Sequence, residues 1–150
     1  MKKINPIIQW WMSPKLPHQH IYLIHNRPES FIRVVIVMVK RWFAHPIKRR
    51  FARFYLILLK RYFGLKVIGI TGSAGKTTVK EMAASILALD GPTLSTYKNI
   101  DPVYNIPSTI LKCKPSTKYL VLEMGVEFPG EMDFYNWLAS LDIGVVTNIY

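Results

Sequence analysis

The stretch KVIGITGSAGKTTVKEM, residues 66–82, decides the fold of this chain. It opens with a short apolar run, residues 66–70, and continues from Val79 with apolar side chains at helical spacing. A strand, a glycine-rich loop and a helix in that order are typical of a phosphate-binding loop (P-loop). We therefore predict an α/β fold with a parallel sheet, in which one strand leads into this loop.

The loop has the residues that phosphate binding requires. Gly72 and Gly75 allow tight turns that direct backbone N–H groups at a phosphate, and the following helix adds its positive dipole end. Lys76 can neutralise the β- and γ-phosphates, and the Thr77 hydroxyl can ligate magnesium. The loop departs from the common pattern, because Ile70 stands five positions before Gly75 where a glycine is usual. The predicted nucleotide-binding residues are Gly72, Ser73, Ala74, Gly75, Lys76, Thr77 and Thr78.

A carboxylate is predicted to complete a metal site. Residues 119–123 form an apolar strand pattern that ends in Glu123. In open parallel sheets, ligands bind beyond the carboxyl ends of the strands. Because a hard cation requires oxygen ligands, Thr77 and Glu123 are the predicted magnesium ligands. The alternative is that Glu123 is a solvated acid at the end of a strand.

The loop resembles that of a known family. Residues 69–78, GITGSAGKTT, are similar to the ATP-binding loop of the Mur ligases, which build the peptide of bacterial peptidoglycan. Residues 79–82, VKEM, resemble the branch that adds D-alanyl-D-alanine to the UDP-N-acetylmuramoyl-tripeptide. Two later segments agree, NIDPVYNIPST at residues 99–109 and VLEMGVEFPGE at residues 121–131. The first has Asp101 and Asn105 where that branch usually has Asn and Gly.

The resemblance implies an enzyme that uses ATP and Mg²⁺ to join a carboxylate to an amine. Such ligases phosphorylate the carboxylate, and an amino acid or dipeptide then attacks the acyl phosphate to form an amide. The implied acid substrate is of the UDP-muramoyl-peptide type. The resemblance also implies that Lys76 is the catalytic residue, that Glu123 serves the metal site, and that Asn148 lies at a strand end near the nucleotide.

Mur ligases have a UDP-sugar domain, a central ATPase and a closing domain. Residues 1–65 do not resemble the first, and a metal-binding histidine, a carbamylated lysine and the closing domain have no counterpart before Tyr150. We therefore expect residues 66–150 to be the N-terminal part of an incomplete central domain, inactive on its own. Related amide ligases, such as cyanophycin-type enzymes, fit the same pattern. The alternative function is a non-catalytic, membrane-associated ATP-binding module or another P-loop NTPase.

The charge of the chain is concentrated near its start. The 150 residues carry 20 Lys and Arg against 9 Asp and Glu, a net charge of +11. Residues 1–66 contain 14 of the basic residues and one acid, whereas residues 67–150 contain 6 basic residues and 8 acids. A nucleic-acid protein would usually carry its charge on the folded domain. The asymmetry predicts a basic arm, residues 1–65, and no nucleic-acid partner is expected.

The arm is predicted to contain amphipathic helices after an irregular, proline-rich start, residues 1–30. Residues 31–39 are apolar but too few to span a membrane. A helix over residues 48–63 places aromatic and apolar side chains opposite basic ones: Phe51, Tyr55, Leu58 and Tyr62 against Arg49, Arg53 and Lys60. This composition favours an anionic membrane surface as a partner of residues 31–65, and a cytoplasmic protein at the inner face of the cytoplasmic membrane. Packing on the adjoining domain and single-strand binding remain the alternatives.

The remaining candidate residues have mostly structural interpretations. His18, His20 and His25 are predicted to be surface residues rather than metal ligands, because no acid or cysteine accompanies them. Cys113, between two lysines, is either an incidental loop residue or a reactive thiol with a depressed pKa. Glu131 is predicted in the first turn of a helix, where an acid favours the dipole. Residues 141–148 are predicted to form another buried strand.

Overall fold

The computed structural model describes residues 5–17, 20, 31–97 and 101–149. Its elements in chain order are α1 (Pro6–Met12), α2 (Phe31–Val39), a π-helical turn (Lys40–Ala44), α3 (His45–Phe63), β1 (Lys66–Thr71), α4 (Lys76–Leu87), β2 (Thr93–Ser95), α5 (Pro102–Ile110), β3 (Tyr119–Glu123), α6 (Glu131–Ala139) and β4 (Ile143–Val146). The four strands form one parallel sheet in the order β2-β3-β1-β4. The predicted α/β fold with a parallel sheet and preceding helices is confirmed.

Alternate side chains of the central strands enter two separate cores. Val67 and Leu120 face the core formed with α1, α3, α5 and α6. Ile68, Ile70 and Val121 face the opposite core, which is formed with α4. Because successive residues of a strand point to opposite faces, the continuous apolar runs of β1 and β3 supply both cores. The strand that leads into the phosphate loop is therefore fixed from both sides.

Helix α3 packs against α5 and α6 through a face that includes basic residues. The buried side chains of α3 are Pro46, Arg49, Ala52, Leu56 and Leu59. The aromatic face points away, since Phe51 and Phe54 are 61% and 60% exposed. The helix forms as predicted, but its basic side faces the rest of the protein. This packing agrees with the alternative in which the helix packs on the adjoining domain.

The basic side chains on this face interact with carbonyl groups and aromatic rings. The guanidinium of Arg49 donates to the carbonyl oxygen of Met12 at 3.3 Å and lies 5.4 Å from the ring centroid of Phe134. Arg53 lies 5.0 Å from the ring centroid of Trp137. Burial lowers the pKa of Arg49 to about 10, which still leaves the guanidinium charged at neutral pH. Cation–π contacts thus replace part of the solvation that these groups lose.

Residues 6–12 form helix α1 instead of the irregular segment that the prolines predicted. Pro6 lies in the first helical turn, where its missing N–H would have no intrahelical partner. Met12 and Leu16 are fully buried in the core with α3. The prediction is therefore wrong for this part of the segment. The rest of it, residues 1–4, 18–19 and 21–30, lies outside the described residues.

The last strand, β4, is present but is not buried as predicted. Ile143 and Val146 are 54% and 56% exposed, because β4 lies at the edge of the sheet beside β1. Met82 and Ile86 of α4, predicted with the apolar stripe of that helix, are also exposed. Apolar surface therefore remains uncovered along both β4 and α4.

Candidate nucleotide-binding site

The loop between β1 and α4 turns at two glycines with positive φ. Gly72 has φ +139° and Gly75 has φ +78°, a conformation that L side chains rarely adopt. Gly75 is the N-cap residue of α4, and no side chain of the described residues caps this helix. The first N–H groups of α4 therefore have no intrahelical acceptor, and the helix dipole adds positive potential there. A helix N-terminus with free N–H groups of this kind is suited to binding a phosphate.

Thr147 and Asn148, which follow β4, make hydrogen bonds to the loop between β1 and α4. The N–H of Ser73 donates to the carbonyl oxygen of Asn148 at 3.0 Å, and the N–H of Ala74 donates to Asn148 Oδ1 at 2.8 Å. Thr147 Oγ1 donates to the carbonyl oxygen of Ala74 at 2.6 Å. The structure thus brings Asn148 to the loop, but uses it to hold Ser73 and Ala74. The N–H groups at the start of α4 are left for the phosphate.

Lys76 folds back over the loop. Its Nζ donates to the carbonyl oxygen of Gly72 at 2.8 Å and lies 3.5 Å from that of Ser73. These contacts hold the ammonium beside the loop that precedes α4. A lysine in this position can contribute positive charge next to the N-terminus of α4.

Thr77 and Glu123 are in direct contact, although 46 positions separate them in the sequence. Thr77 Oγ1 donates to Glu123 Oε1 at 2.9 Å. The two side chains are close because β1 pairs with β3 so that Ile70 lies opposite Glu123, and the helix that carries Thr77 begins just after β1. The second carboxylate oxygen, Oε2, is buried and accepts no hydrogen bond from the described residues. A hydroxyl and a carboxylate are hard oxygen donors, the kind that Mg²⁺ prefers. The two residues therefore fit a magnesium ion.

Sequence reasoning missed two residues of this site, Lys80 and Thr96. Lys80 is 0% exposed, its Nζ lies 3.4 Å from Glu123 Oε2, and it donates to the carbonyl oxygen of Thr96 at 2.9 Å. Thr96 Oγ1 accepts the N–H of Glu123 at 2.9 Å. One signal was available, because Lys80 lies three, four and seven positions before Ala83, Ala84 and Leu87, which pack against the core. A lysine on an apolar stripe requires a buried partner.

Glu131 and Cys113 have structural positions. Glu131 begins α6, as predicted, and its Oε2 accepts the N–H groups of Glu127 and Phe128 at 2.6 and 3.2 Å. Its other carboxylate oxygen contacts His20 Nε2. Cys113 is buried, and burial raises the pKa of its thiol to about 11. The alternative of a reactive thiol with a depressed pKa is therefore wrong.

Within the described ranges, no group of three His, Cys, Asp or Glu side chains could hold a metal ion. Of the three histidines weighed as ligands, His20 is the described one, whereas His18 and His25 fall outside the described residues.

Comparisons with known proteins identify the family to which this chain is similar. Residues 70–150 match the Mur ligase middle domain. UDP-N-acetylmuramoyl-tripeptide--D-alanyl-D-alanine ligase of Buchnera aphidicola subsp. Acyrthosiphon pisum is 44% identical over 85 residues, which are 57% of this chain and 19% of that protein. The protein of the same name from Bacillus subtilis (strain 168) is 41% identical over 86 residues, with the same two shares. The chain spans about a fifth of the length of these relatives.

A search of solved structures also finds ligases of this family. The MurF ligase from Thermotoga maritima in complex with ADP superposes with a TM-score of 0.62 and 31% identity, over 70% of this chain and 24% of that one. A crystal structure of MurF from Acinetobacter baumannii gives a TM-score of 0.63 and 30% identity, over 68% and 22%. The family match covers more than half of the residues of this chain, and the chain therefore belongs to the Mur ligase family.

Proposed function

We propose that this chain is the ATP-binding part of an amide-bond ligase of peptidoglycan precursor synthesis. The observation that carries the proposal is the contact between Thr77 and Glu123 beside Lys76, at the carboxyl edge of the sheet. The hydroxyl–carboxylate contact next to a lysine of the loop supports nucleotide and metal binding at this edge of the sheet. The names of the relatives and the ADP bound to the Thermotoga maritima ligase support the same substrate class.

In the proposed reaction, the γ-phosphoryl group of ATP passes to a carboxylate of a UDP-muramoyl-tripeptide, giving an acyl phosphate and ADP. The amine of D-alanyl-D-alanine, or of another amino acid or dipeptide, then attacks the acyl carbon, and inorganic phosphate leaves as the amide forms. The chain's part is to bind and orient the phosphates through the N–H groups at the start of α4 and through Lys76. Thr77 and Glu123 would hold Mg²⁺, which neutralises phosphate charge when bound.

Binding of ATP in the presence of Mg²⁺, measured by calorimetry on the full chain, tests the site. Lys76→Ala should weaken binding by about tenfold or more, because a charged hydrogen bond is worth about 1.5–3 kcal/mol. Glu123→Ala should weaken binding less. Lys118→Ala is the matched control, since Lys118 is an exposed lysine paired with Asp90 at 2.7 Å, away from the loop. Unchanged binding in Lys76→Ala, or equal losses in Lys76→Ala and Lys118→Ala, would refute the assignment.

The alternative function, a non-catalytic ATP-binding module, predicts a different outcome in an activity assay. Such a module would bind ATP but would form no amide from ATP, UDP-muramoyl-tripeptide and D-alanyl-D-alanine, even when the protein encoded by the whole reading frame is assayed. A ligase would consume one ATP for each amide bond that it forms.

We also propose that residues 1–65 form a basic helical segment at the inner face of the cytoplasmic membrane, and that residues 66–150 form the ATP-binding part of a cytoplasmic protein. Large apolar side chains of α2, the π-helical turn and α3 are exposed: Phe31, Ile32, Ile36, Met38, Val39, Phe43, Ile47, Phe51, Phe54 and Tyr62. Residues 31–63 also contain nine Lys and Arg and no acid. Apolar side chains flanked by cations favour the interface of an anionic bilayer.

Among the helices of the described residues, none is long and apolar enough to cross a membrane.

Sedimentation with lipid vesicles tests this second proposal. The full chain should bind vesicles that contain phosphatidylglycerol and should be released by salt, because screening weakens the attraction of Lys and Arg to the lipid. Phe54→Ser should reduce binding severalfold. Ile86→Ser, at a comparably exposed residue of α4 on the other face of the sheet, should not. Equal binding to neutral vesicles, or equal effects of the two variants, would contradict the proposal.

A further inference from the structure

We propose that Lys80 is a positioning residue that holds the carboxylate of Glu123 in the orientation needed to bind the metal ion. The inference deepens the proposed function and rests on it, since it concerns how the ATP-binding site binds Mg²⁺. Lys80 is neither one of the predicted phosphate-binding residues nor one of the predicted metal ligands.

Lys80 is a fully buried cation, which is unfavourable unless its charge is paired and its N–H groups are hydrogen-bonded. Its Nζ has three oxygen partners: the carbonyl of Thr96 at 2.9 Å, Glu81 Oε1 at 3.0 Å and Glu123 Oε2 at 3.4 Å. Glu81 is mostly exposed, whereas the side chain of Glu123 is 17% exposed. The ammonium therefore lies between the end of β2 and the carboxylate at the end of β3.

The two oxygens of Glu123 each face a residue of the same helix, one through a hydrogen bond and the other through an ion pair. Thr77 Oγ1 donates to Oε1 at 2.9 Å, and Lys80 Nζ lies near Oε2 at 3.4 Å. Thr77 and Lys80 are three positions apart on α4, so they lie on the same side of the helix. The backbone of Glu123 is fixed as well, because its N–H donates to Thr96 Oγ1. The carboxylate is thus oriented relative to the helix that begins at the phosphate loop.

Groups that orient metal ligands have a measurable effect, since their loss typically lowers metal affinity about 10- to 100-fold. Without Lys80, the buried Oε2 would lose its only nearby cation among the described residues, and the carboxylate could rotate away from Thr77. A purely structural role for Lys80, in anchoring Thr96, predicts something else. It predicts an equal loss of nucleotide affinity with and without metal.

The test measures the affinity of the full chain for ADP in EDTA and in Mg²⁺, and takes the ratio as the magnesium effect. Lys80→Met should reduce the magnesium effect about tenfold, while metal-free ADP affinity stays within about twofold, because the loop N–H groups and Lys76 are untouched. Lys80→Arg, which keeps the charge, should restore most of the effect. Lys118→Met, at the exposed lysine, should match the original chain.

A double-variant comparison locates the effect. In a Glu123→Gln background, Lys80→Met should reduce the magnesium effect no further, because the carboxylate that it positions is absent. If Lys80→Met does not fold, as judged by circular dichroism, Lys80→Gln replaces it. Glutamine retains an N–H donor for the carbonyl of Thr96 and lacks the charge, and the same loss is expected.

Two results would overturn the proposal: a magnesium effect in the folded variant equal to or larger than that of the original chain, or equal losses with and without metal. A larger effect would mean that the ammonium competes with the metal for Glu123. These results leave the proposed function standing, provided that the original chain shows a magnesium effect. An original chain that binds no ADP, or binds it equally with and without Mg²⁺, overturns both proposals.

Discussion

Single residues of the loop are constrained by how closely two backbone segments approach each other. The loop at Gly72 lies against Thr147 and Asn148, which follow the edge strand β4. A Cβ atom added at Gly72 would lie 2.1 Å from Thr147 Oγ1 and 3.0 Å from the backbone nitrogen of Asn148. The loop therefore needs glycine there for space as well as for backbone conformation. This requirement links the conformation of the loop to the two residues that follow β4.

Gly72→Ala should destabilise the protein by about 1–3 kcal/mol and weaken ATP binding, because the new methyl group would displace Thr147 from the loop. Chemical denaturation and calorimetry measure the two effects. Gly144→Ala is the matched control, since a Cβ at Gly144 in β4 meets nothing within 4 Å. Normal ATP affinity in Gly72→Ala would show that the supporting contact is dispensable.

The loop residues could be predicted from sequence because their chemistry is local. Gly72 to Thr78 are consecutive, and each has a role set by turn geometry, charge or the helix dipole. Lys80 and Thr96 could not be assigned in the same way. Their roles depend on where β2 and β3 end relative to α4, which follows from strand pairing.

Among the elements, α3 shows why amphipathic patterns can mislead. Its two faces both contain apolar side chains, Leu56 and Leu59 on one and Phe51 and Phe54 on the other. Periodicity identified the aromatic face, but the structure buries the opposite one together with Arg49. Leu56 and Leu59 pack in the core that α5 and α6 help to form, and the guanidinium of Arg49 lies over the ring of Phe134. The periodicity of apolar residues does not show which of two such faces is buried.

Leu56→Ala should lower the free energy of unfolding by about 2–5 kcal/mol, because it leaves a cavity between α3 and the sheet. Phe51→Ala, on the exposed face of the same helix, should change it by about 0.5 kcal/mol or less. Urea denaturation of both variants provides the measurement. Similar losses for the two substitutions would mean that α3 does not pack in the orientation described.

For the whole molecule, the boundary suggested by the distribution of charge is not a boundary in the hydrophobic core. The count of basic residues separates residues 1–65 from the rest, and we retain that boundary as a proposal about function. The core crosses it, since Met12, Leu56 and Leu59 pack in the same cluster as Val67 and Leu120. Composition predicts charge well, but it does not show which surfaces are buried together.

The free energy of unfolding should depend on pH through His45. The centroid of its ring lies 4.8 Å from that of Tyr104. Burial, with a further contribution from Arg49 and other nearby cations, lowers the pKa of His45 from 6.5 to about 4. The unfolded chain therefore binds a proton between these two pH values that the folded chain does not. Stability should fall as the pH is lowered from 6.5 to 4, by about 1 kcal/mol after allowance for solvent screening.

Urea denaturation across this pH range, compared between the original chain and His45→Gln, isolates the contribution of His45. Carboxylate titration is common to both proteins and cancels in the difference. The variant should lose less stability on acidification than the original chain. Parallel curves would mean that His45 titrates alike in the folded and unfolded states.

The order of the sheet also has a consequence for synthesis on the ribosome. β1 is flanked by β3 and β4, and both follow it in the chain. At about 5–20 residues per second, β1 and the apolar face of α3 emerge well before any strand that could pair with β1. Thr147 and Asn148, which support the loop, emerge later still. The loop between β1 and α4 can therefore take its final shape only after the whole of β4 and the two residues that follow it have been translated.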